Sequence, residues 1–357
     1  MQIGPTPNER LARARSDLRI GLPILIESDG AWWLAAAVET LPPERAAILA
    51  GGGEAVLAIT GWRAETLHVP VYDGDLVRLR VPAAATVEWL RSVADPSADL
   101  ASPLKGPYPT VRGGGAAPHR AALRLTKAAQ LLPAVLLQPA VEAADGLTRV
   151  GADEVAPERD QIPTLRRVVG GRVPLRVSGA GRVQVFRPAD GGIEHYAVEI
   201  GRPDRRGAPL VRLHSACFTG DVLGSLKCDC GPQLDAALTA MGEAGEGVLL
   251  YLNQEGRGIG LANKMRAYAL QDEGFDTVEA NHRLGFEDDE RDFRIGTEIL
   301  RQMGIGRIRL MTNNPAKVAM MRERGIEVVE RVPLAVGQNP LNARYLATKA
   351  RKSGHLL

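Results

Sequence analysis

The sequence predicts an α/β (α+β) protein of two domains, each a mixed sheet packed with helices, on three observations. At 357 residues the chain exceeds what a single hydrophobic core usually serves. Short apolar runs such as PILIES and GVLLYL are interspersed with longer segments of helical period such as LANKMRAYALQDEG. The composition also changes midway. An Ala- and Leu-rich first half turns charged and Pro/Gly-bearing around Val155 to Arg182, which sets the domains at 1–160 and 173–357.

The elements follow in order. ERLARARSDLRIG reads as a helix ended by Gly21, then come an apolar strand, PILIES, and a second apolar stretch, WWLAAAVETL. SPLKGPYPTVRGGGAAP is a loop by composition, and HRAALRLTKAAQLL after it has a helical pattern. In the second half RVQVFRP and HYAVEIG read as paired strands around an ADGG turn. GVLLYL is a buried strand, and LANKMRAYALQDEG is a helix stopped by Gly274. IRLMTNN is a further strand, leading into the helix PAKVAMMRERG, with Pro at its start and Gly325 past its end. No internal repeat is visible.

Bulk properties narrow the class of protein. A hydrophobic content of 45% with 24% charge is that of a soluble globular chain, and a formal charge of +2 gives no reason to expect nucleic acid as a partner. No apolar run reaches membrane-spanning length and the first residues lack the apolar core of a secretory signal, so a cytoplasmic protein without membrane contact is expected. Three cysteines are too few, and odd in number, for a disulfide framework.

All three lie in HSACFTGDVLGSLKCDCGPQL, as Cys217, Cys228 and Cys230. Thiolate is the metal-binding form of cysteine, and zinc is its commonest partner. Structural zinc sites usually fill four positions with protein, whereas catalytic ones leave a position open, where a bound water's pKa falls toward about 7. Three cysteines therefore favour a catalytic zinc, one per chain, while His214 as a fourth ligand would make the site structural. The alternative is a set of buried apolar thiols or a redox pair, but Asp229, Gly231 and Pro232 make the segment loop-like.

Three further segments carry candidate chemistry. In NQEGRGIGLANK, closely spaced glycines before a helix let backbone N–H groups approach an anion, and Arg257 adds a bidentate grip. The following helix sets Leu261, Met265 and Tyr268 on one face, which makes Tyr268 a half-buried core residue by pattern. ANHRLGFEDDERDF surrounds Arg291 with five acids, either a solvated loop with local ion pairs or a general base beside a phosphate contact. TNNPAKV brings Thr312 and Lys317 to a helix start suited to an anion.

These residues resemble a known family. HSACFTGDVLGSLKCDCGPQL, EGRGIGLANKMRAYALQDEGFDTVEANHRLGFEDDERDF, LMTNNPAKV and the C-terminal NARYLATKARKSGHLL are similar to GTP cyclohydrolase II, over roughly Val173 to Leu357. The resemblance implies hydrolysis of GTP to 2,5-diamino-6-(5-phospho-ribosylamino)pyrimidin-4(3H)-one, formate and pyrophosphate, the first step of riboflavin biosynthesis, by a homodimer. By position it implies zinc on Cys217, Cys228 and Cys230, with magnesium accompanying the triphosphate. It sets Arg212, Leu213, His214, Ser215, Ala216, Gln233, Glu255, Gly256, Arg257, Thr277, Thr312 and Lys317 around GTP. Asp289 corresponds to the family's proton acceptor, Tyr268 to its active-site tyrosine and Arg291 to the residue assigned as nucleophile toward the α-phosphate. Guanidinium stays charged and is a poor nucleophile, so side-chain chemistry alone makes Arg291 a transition-state clamp. One position departs from the family: Ala216 stands where H-S-E-C has glutamate.

The first half faintly resembles 3,4-dihydroxy-2-butanone 4-phosphate synthase, the partner fused to this enzyme in many bacteria. The family's acidic R-E-N-E-G-D segment reads SDGAWW here, and its H-T-E-A reads His119-Arg120-Ala121-Ala122. Divalent-metal chemistry on a sugar phosphate needs clustered carboxylates, so a non-catalytic domain is expected. His119 is then a helix-start or surface histidine, and Trp32 and Trp33 are core or interface residues. Two alternatives stand beside the enzyme reading: an inactive GTP- and zinc-binding homologue, for which Ala216 speaks, and a relative with altered product or substrate.

Overall fold

The computed structural model describes residues 4–103, 105–140, 145–155, 164–354 and 356. It divides into two compact units, Met1–Gln161 with Ala262–Glu290, and Ile162–Leu261 with Arg291–Leu357. Part of the expected boundary region, residues 156–163, lies outside the described residues.

The first unit opens with α1 (Pro7–Arg19), whose N-terminus is closed by a capping box between Thr6 and Glu9. Gly21 ends it with a φ of 74°, and a Cβ there would lie 2.4 Å from the Thr40 carbonyl oxygen. There follow β1 (Ile24–Ser28), β2 (Ala31–Ala37), α2 (Pro43–Ala50), β3 (Val56–Thr60), α3 (Gly61–Thr66), β4 (Leu76–Arg80), α4 (Val87–Ala94), α5 (Ala117–Ala128), β5 (Ala134–Ala140) and β6 (Arg149–Gly151). The strands form one sheet in the order β4-β3-β5-β2-β1-β6, antiparallel except for the β1–β6 pair. Its two faces carry separate apolar cores, one under α1 and α5 that includes Leu18, Ile26 and Leu125, the other under α2 and α4 that includes Leu49, Leu57 and Leu90.

Buried charge in this unit is paired. Arg63, 1% exposed, is held by both oxygens of Asp99, which also accepts from Lys105 at 2.6 Å. His119 is at the start of α5, as expected, but is not on the surface: it is 1% exposed and lies edge-on to Trp33 at 5.2 Å. The apolar flanks of α5 and the bulk of Trp33, which packs on the core beneath α1, cover it. Both ring nitrogens are buried with no hydrogen-bond partner among the described residues.

Burial, with a contribution from the Arg78 charge, pushes the His119 pKa down to about 4. Between pH 6.5 and 4 the unfolded chain binds a proton that the folded one refuses. Its stability is therefore complete above about pH 6.5 and declines toward pH 4. His119→Leu should flatten that decline for the first unit, as followed by calorimetric melts at pH 4.5 and 7.5. An acid slope unchanged by the substitution would contradict the assignment.

The second unit begins with three antiparallel strands, β7 (Leu165–Arg172), β8 (Arg182–Pro188) and β9 (His195–Gly201). Next come β10 (Leu210–Ser215), α6 (Cys230–Glu243) and β11 (Glu246–Leu252). α7 (Gly260–Asp272) and α8 (Thr277–Arg283) belong, from Ala262 on, to the first unit. α9 (Arg294–Gln302), β12 (Arg307–Met311), α10 (Pro315–Glu323), β13 (Glu327–Val332) and α11 (Ala343–Ser353) complete the chain. The sheet order is β13-β12-β10-β11-β9-β8-β7, and β13, β12, β10 and β11 run parallel. Both sheets are thus mixed and packed with helices. GVLLYL is buried at nearly every position, the signature of a strand covered on both faces. No helix among the described residues is long and apolar enough to cross a membrane.

Candidate metal and anion site

In open α/β sheets, ligands gather beyond the carboxyl ends of the parallel strands. Here β10 ends at Ser215, β11 at Leu252 and β12 at Met311, and the loops that leave them carry Ala216, Cys217, Cys228, Glu255, Gly256, Arg257 and Thr312. The register Ser215↔Leu252 aligns the first two exits, and the Ala216 N–H donates to the Leu252 carbonyl at 2.7 Å, which extends the sheet to the edge of the metal loop.

Cys217 caps a single π-helical turn, Phe218–Val222, and its sulfur accepts the Gly220 N–H at 3.3 Å. Cys230 is the first residue of α6. The three sulfurs lie within 4.8 Å of one another, those of Cys217 and Cys228 3.8 Å apart. Sulfurs about 2.3 Å from a tetrahedral ion are separated by about 3.8 Å, so the spacing fits a thiolate-held metal. Side-chain space is equally restricted. A Cβ on Gly220 would approach the Cys228 sulfur and the Cys230 Cβ at 2.9 Å each. The Cys217 thiol, followed by Cys228 and burial, pushes the Cys230 pKa well above the usual thiol value, and Cys217 also raises Cys228. Three thiolates this close need a cation to coexist.

His214 supplies no fourth ligand to this group among the described residues. Its Nε2 lies 3.0 Å from both oxygens of Asp221. Asp221 also accepts from the Tyr251 hydroxyl at 2.9 Å and from the Cys217 N–H at 3.0 Å. This buried set fixes the backbone at the first cysteine, and burial, then the Asp221 charge, pushes the Tyr251 pKa up. Sequence reasoning missed Asp221 and Tyr251. Asp221 stands four residues from Cys217, a local signal that was available; Tyr251 lies inside an apolar strand and gave none.

A group of cationic side chains adjoins the cysteines. Arg212, 8% exposed, donates to the Met311 carbonyl at 3.1 Å and to Gln233 Oε1 at 2.5 Å, and Gln233 Nε2 donates to Asp229 at 2.6 Å. Burial lowers the Arg212 pKa to about 10, so the guanidinium remains a cation at neutral pH. Arg291 Nη1 donates to Ser215 Oγ at 3.3 Å, and both Arg291 and Lys317 lie over the Phe293 ring, at 4.8 and 4.2 Å. Lys317 Nζ reaches the Leu213 carbonyl at 3.5 Å. Thr312 is 2% exposed, and its hydroxyl accepts the Asn314 N–H at 3.0 Å at the start of α10.

Glu255 accepts the Phe218 N–H at 2.5 Å, which ties the glycine-rich turn to the metal loop. Gly256 and Arg257 both have positive φ, 63° and 61°. For arginine that conformation is strained by roughly 1–2 kcal/mol. His195 Nδ1 accepts the Asn253 N–H at 3.0 Å and so supports the same turn from β9.

Tyr268, Thr277 and Asp289 belong to the first unit. Tyr268 is half-buried, with Lys264 Nζ 5.7 Å from its ring. The face that carries it is the exposed one, however: Leu261 and Met265 are 39% and 41% exposed, while Asn263 and Lys264 are buried. Thr277 opens α8, which is capped by Asp276. The acidic loop is organised by ion pairs and hydrogen bonds: His282 pairs with Asp288 at 2.7 Å, Lys127 with Glu290 at 2.7 Å and Arg294 with Asp292 at 2.7 Å. Asp289 is exposed.

Comparison with known proteins adds a second line of observation. The sequence model of the family described as GTP cyclohydrolase II matches residues 166–333. A GTP cyclohydrolase-2 of Azospirillum brasilense is 42% identical over 357 residues, covering 96% of this chain and 93% of the relative. A GTP cyclohydrolase-2 of Shigella dysenteriae is 53% identical over 193 residues, covering 54% of this chain and 98% of its own length. A solved two-domain 3,4-dihydroxy-2-butanone 4-phosphate synthase from A. baumannii aligns with 92% of this chain at 15% identity and a TM-score of 0.31, too low a likeness to bear on the fold.

Proposed function

The chain belongs to the GTP cyclohydrolase II family, hydrolases of riboflavin biosynthesis, and from that premise we propose that it converts GTP to 2,5-diamino-6-(5-phospho-ribosylamino)pyrimidin-4(3H)-one, formate and pyrophosphate. The observation that carries this reading is the three-sulfur cluster at the carboxyl ends of the parallel strands, with the buried Arg212 cation linked to it through Gln233 and Asp229. Cys217, Cys228 and Cys230 would hold zinc, which supplies Lewis acidity and a water of lowered pKa near neutral pH.

The remaining roles fall to the chain itself. Arg212, Lys317 and the turn Glu255, Gly256 and Arg257 bind the anionic nucleotide, with His214, Ser215, Ala216 and Leu213 forming the strand exit beneath it and Thr312 the start of α10. Arg291, oriented by Ser215 and Phe293, clamps charge that develops at the α-phosphate. Tyr268, Thr277 and Asp289 take their roles from the family resemblance of their segment, Asp289 as proton acceptor. Magnesium accompanies the triphosphate as a hard, oxygen-liganded ion. Exposed apolar side chains after Cys217, among them Val222 (68%) and Leu223 (64%), support a homodimer, and a cytoplasmic location fits three cysteines that form no disulfide.

Ala216 favours a second reading, in which the chain binds GTP and zinc without turnover. One experiment separates the two: incubation of the purified full chain with GTP and magnesium, with formate, pyrophosphate and product mass measured alongside the metal content. Formate and pyrophosphate in equal amounts, with one zinc per chain, are expected. A zinc-loaded chain that releases neither refutes the enzyme reading. A product that retains the formyl carbon refutes the stated product.

A further inference from the structure

The segment Ala262–Glu290 lies in sequence within the second half, yet it packs with Met1–Gln161. In relatives such as the Shigella dysenteriae protein, 98% of the length is matched by 54% of this chain, so they lack a counterpart of most of the first half. In this chain the first half supplies a specific seat for that segment. The Trp62 indole, on α3, stacks on the His282 imidazole with centroids 3.7 Å apart and planes within 6°. Its Nε1 donates to Glu287 at 2.8 Å. The Thr60 hydroxyl donates to the Gly285 carbonyl at 2.9 Å. Gly285 itself has a φ of +85°, and a Cβ on it would lie 2.8 Å from both Pro133 and the Thr60 hydroxyl. Lys127, on α5, pairs with Glu290 at 2.7 Å. Glu287 and Glu290 bracket Asp289, so the first half grips the acidic loop on both sides of that carboxylate.

We infer that the first half is a positioning platform for the catalytic segment, and that Trp62 is its principal positioning residue for Asp289. This rests on the assignment of Asp289 as proton acceptor. Trp62 does not act on GTP. It fixes α8 and the loop after it, so that the carboxylate is presented in one place. Loss of such fixation costs rate rather than substrate affinity, since a displacement of about 1 Å at a reacting group can cost up to about 100-fold.

The test compares wild type, Trp62→Ala, Trp62→Phe and Lys127→Gln as full chains, with formate kinetics, zinc content and amide hydrogen exchange over residues 277–290. Trp62→Ala should lower kcat by about 10-fold or more, with KM within about 2-fold and zinc unchanged, while exchange over 277–290 accelerates. Trp62→Phe keeps an aromatic face against His282 and should recover most of kcat. Lys127→Gln, at the other bracket, should lower kcat in the same manner and serves alone should Trp62→Ala fail to fold. Wild-type kcat in Trp62→Ala or Lys127→Gln, or a change confined to KM, overturns the platform while leaving the enzyme reading intact. Wild type that releases no formate overturns both.

Discussion

Cys228→Ser should lose its metal and reduce formate release by about 10³-fold or more, equivalent to about 4 kcal/mol of barrier. Cys228 is 5% exposed and its sulfur lies 3.8 Å from that of Cys217. A serine hydroxyl fits the space, so the fold should survive, but it is a hard, protonated group in place of a soft thiolate. Arg212 and Lys317 are untouched, so GTP affinity should change far less than turnover. Metal analysis, nucleotide titration and a formate assay on the same preparation check all three statements. Full formate release from the variant would sink the proposed chemistry.

Asp99→Ala should destabilise the first unit by about 3–5 kcal/mol, the usual cost of removing one partner of a buried ion pair. The carboxylate answers Arg63, which is 1% exposed, and also Lys105. The remaining bonds of that guanidinium, to the Val93 carbonyl at 2.8 Å and Thr66 at 3.2 Å, bring no opposing charge. Burial alone would raise the Asp99 pKa, but Arg63 and Lys105 outweigh it and hold the group below its ordinary value. The pair's contribution is therefore full above the ordinary carboxylate pKa and is lost as pH falls through the lower folded value. Denaturant titration that resolves the two units should show the loss in one transition only. Asp99→Asn, which keeps the shape, should cost less than Asp99→Ala.

The parts of the site legible in the sequence were those written locally. The three cysteines share one loop, the glycines around Arg257 mark a turn, and Pro315 and Gly325 bracket α10, so spacing alone located them. The strands with the clearest apolar runs, β1, β8, β9, β11 and β12, were likewise visible. The elements β3, α3 and β4 were not read: GWRAET in α3 is too short to show a helical period and LVRLR in β4 is broken by charge, while VLAIT in β3 is an apolar run as long as β1 that went unassigned. α7 misled in a different way. Its apolar stripe of Leu261 and Met265 faces outward while Asn263 and Lys264 are buried, and Asn263 donates to the Gln130 carbonyl at 2.9 Å. A polar side chain with a partner is as buriable as leucine, and that partner is more than a hundred residues away in the chain. Tyr251 and His195 were hidden because their partners, Asp221 and Asn253, lie 30 and 58 residues away in the chain, whereas Asp221, four residues from Cys217, was within local reach.

The path of the chain through the two units has a consequence for synthesis on the ribosome. The first unit cannot close when Gln161 emerges, because α8 and its acidic loop are still to be made. At about 5–20 residues per second, the roughly 130 residues that separate Gln161 from Glu290 take about 6–26 s. Over that interval the indole of Trp62 and the hydroxyl of Thr60 await their partners His282 and Gly285, and nascent chains are then most open to chaperones and proteases.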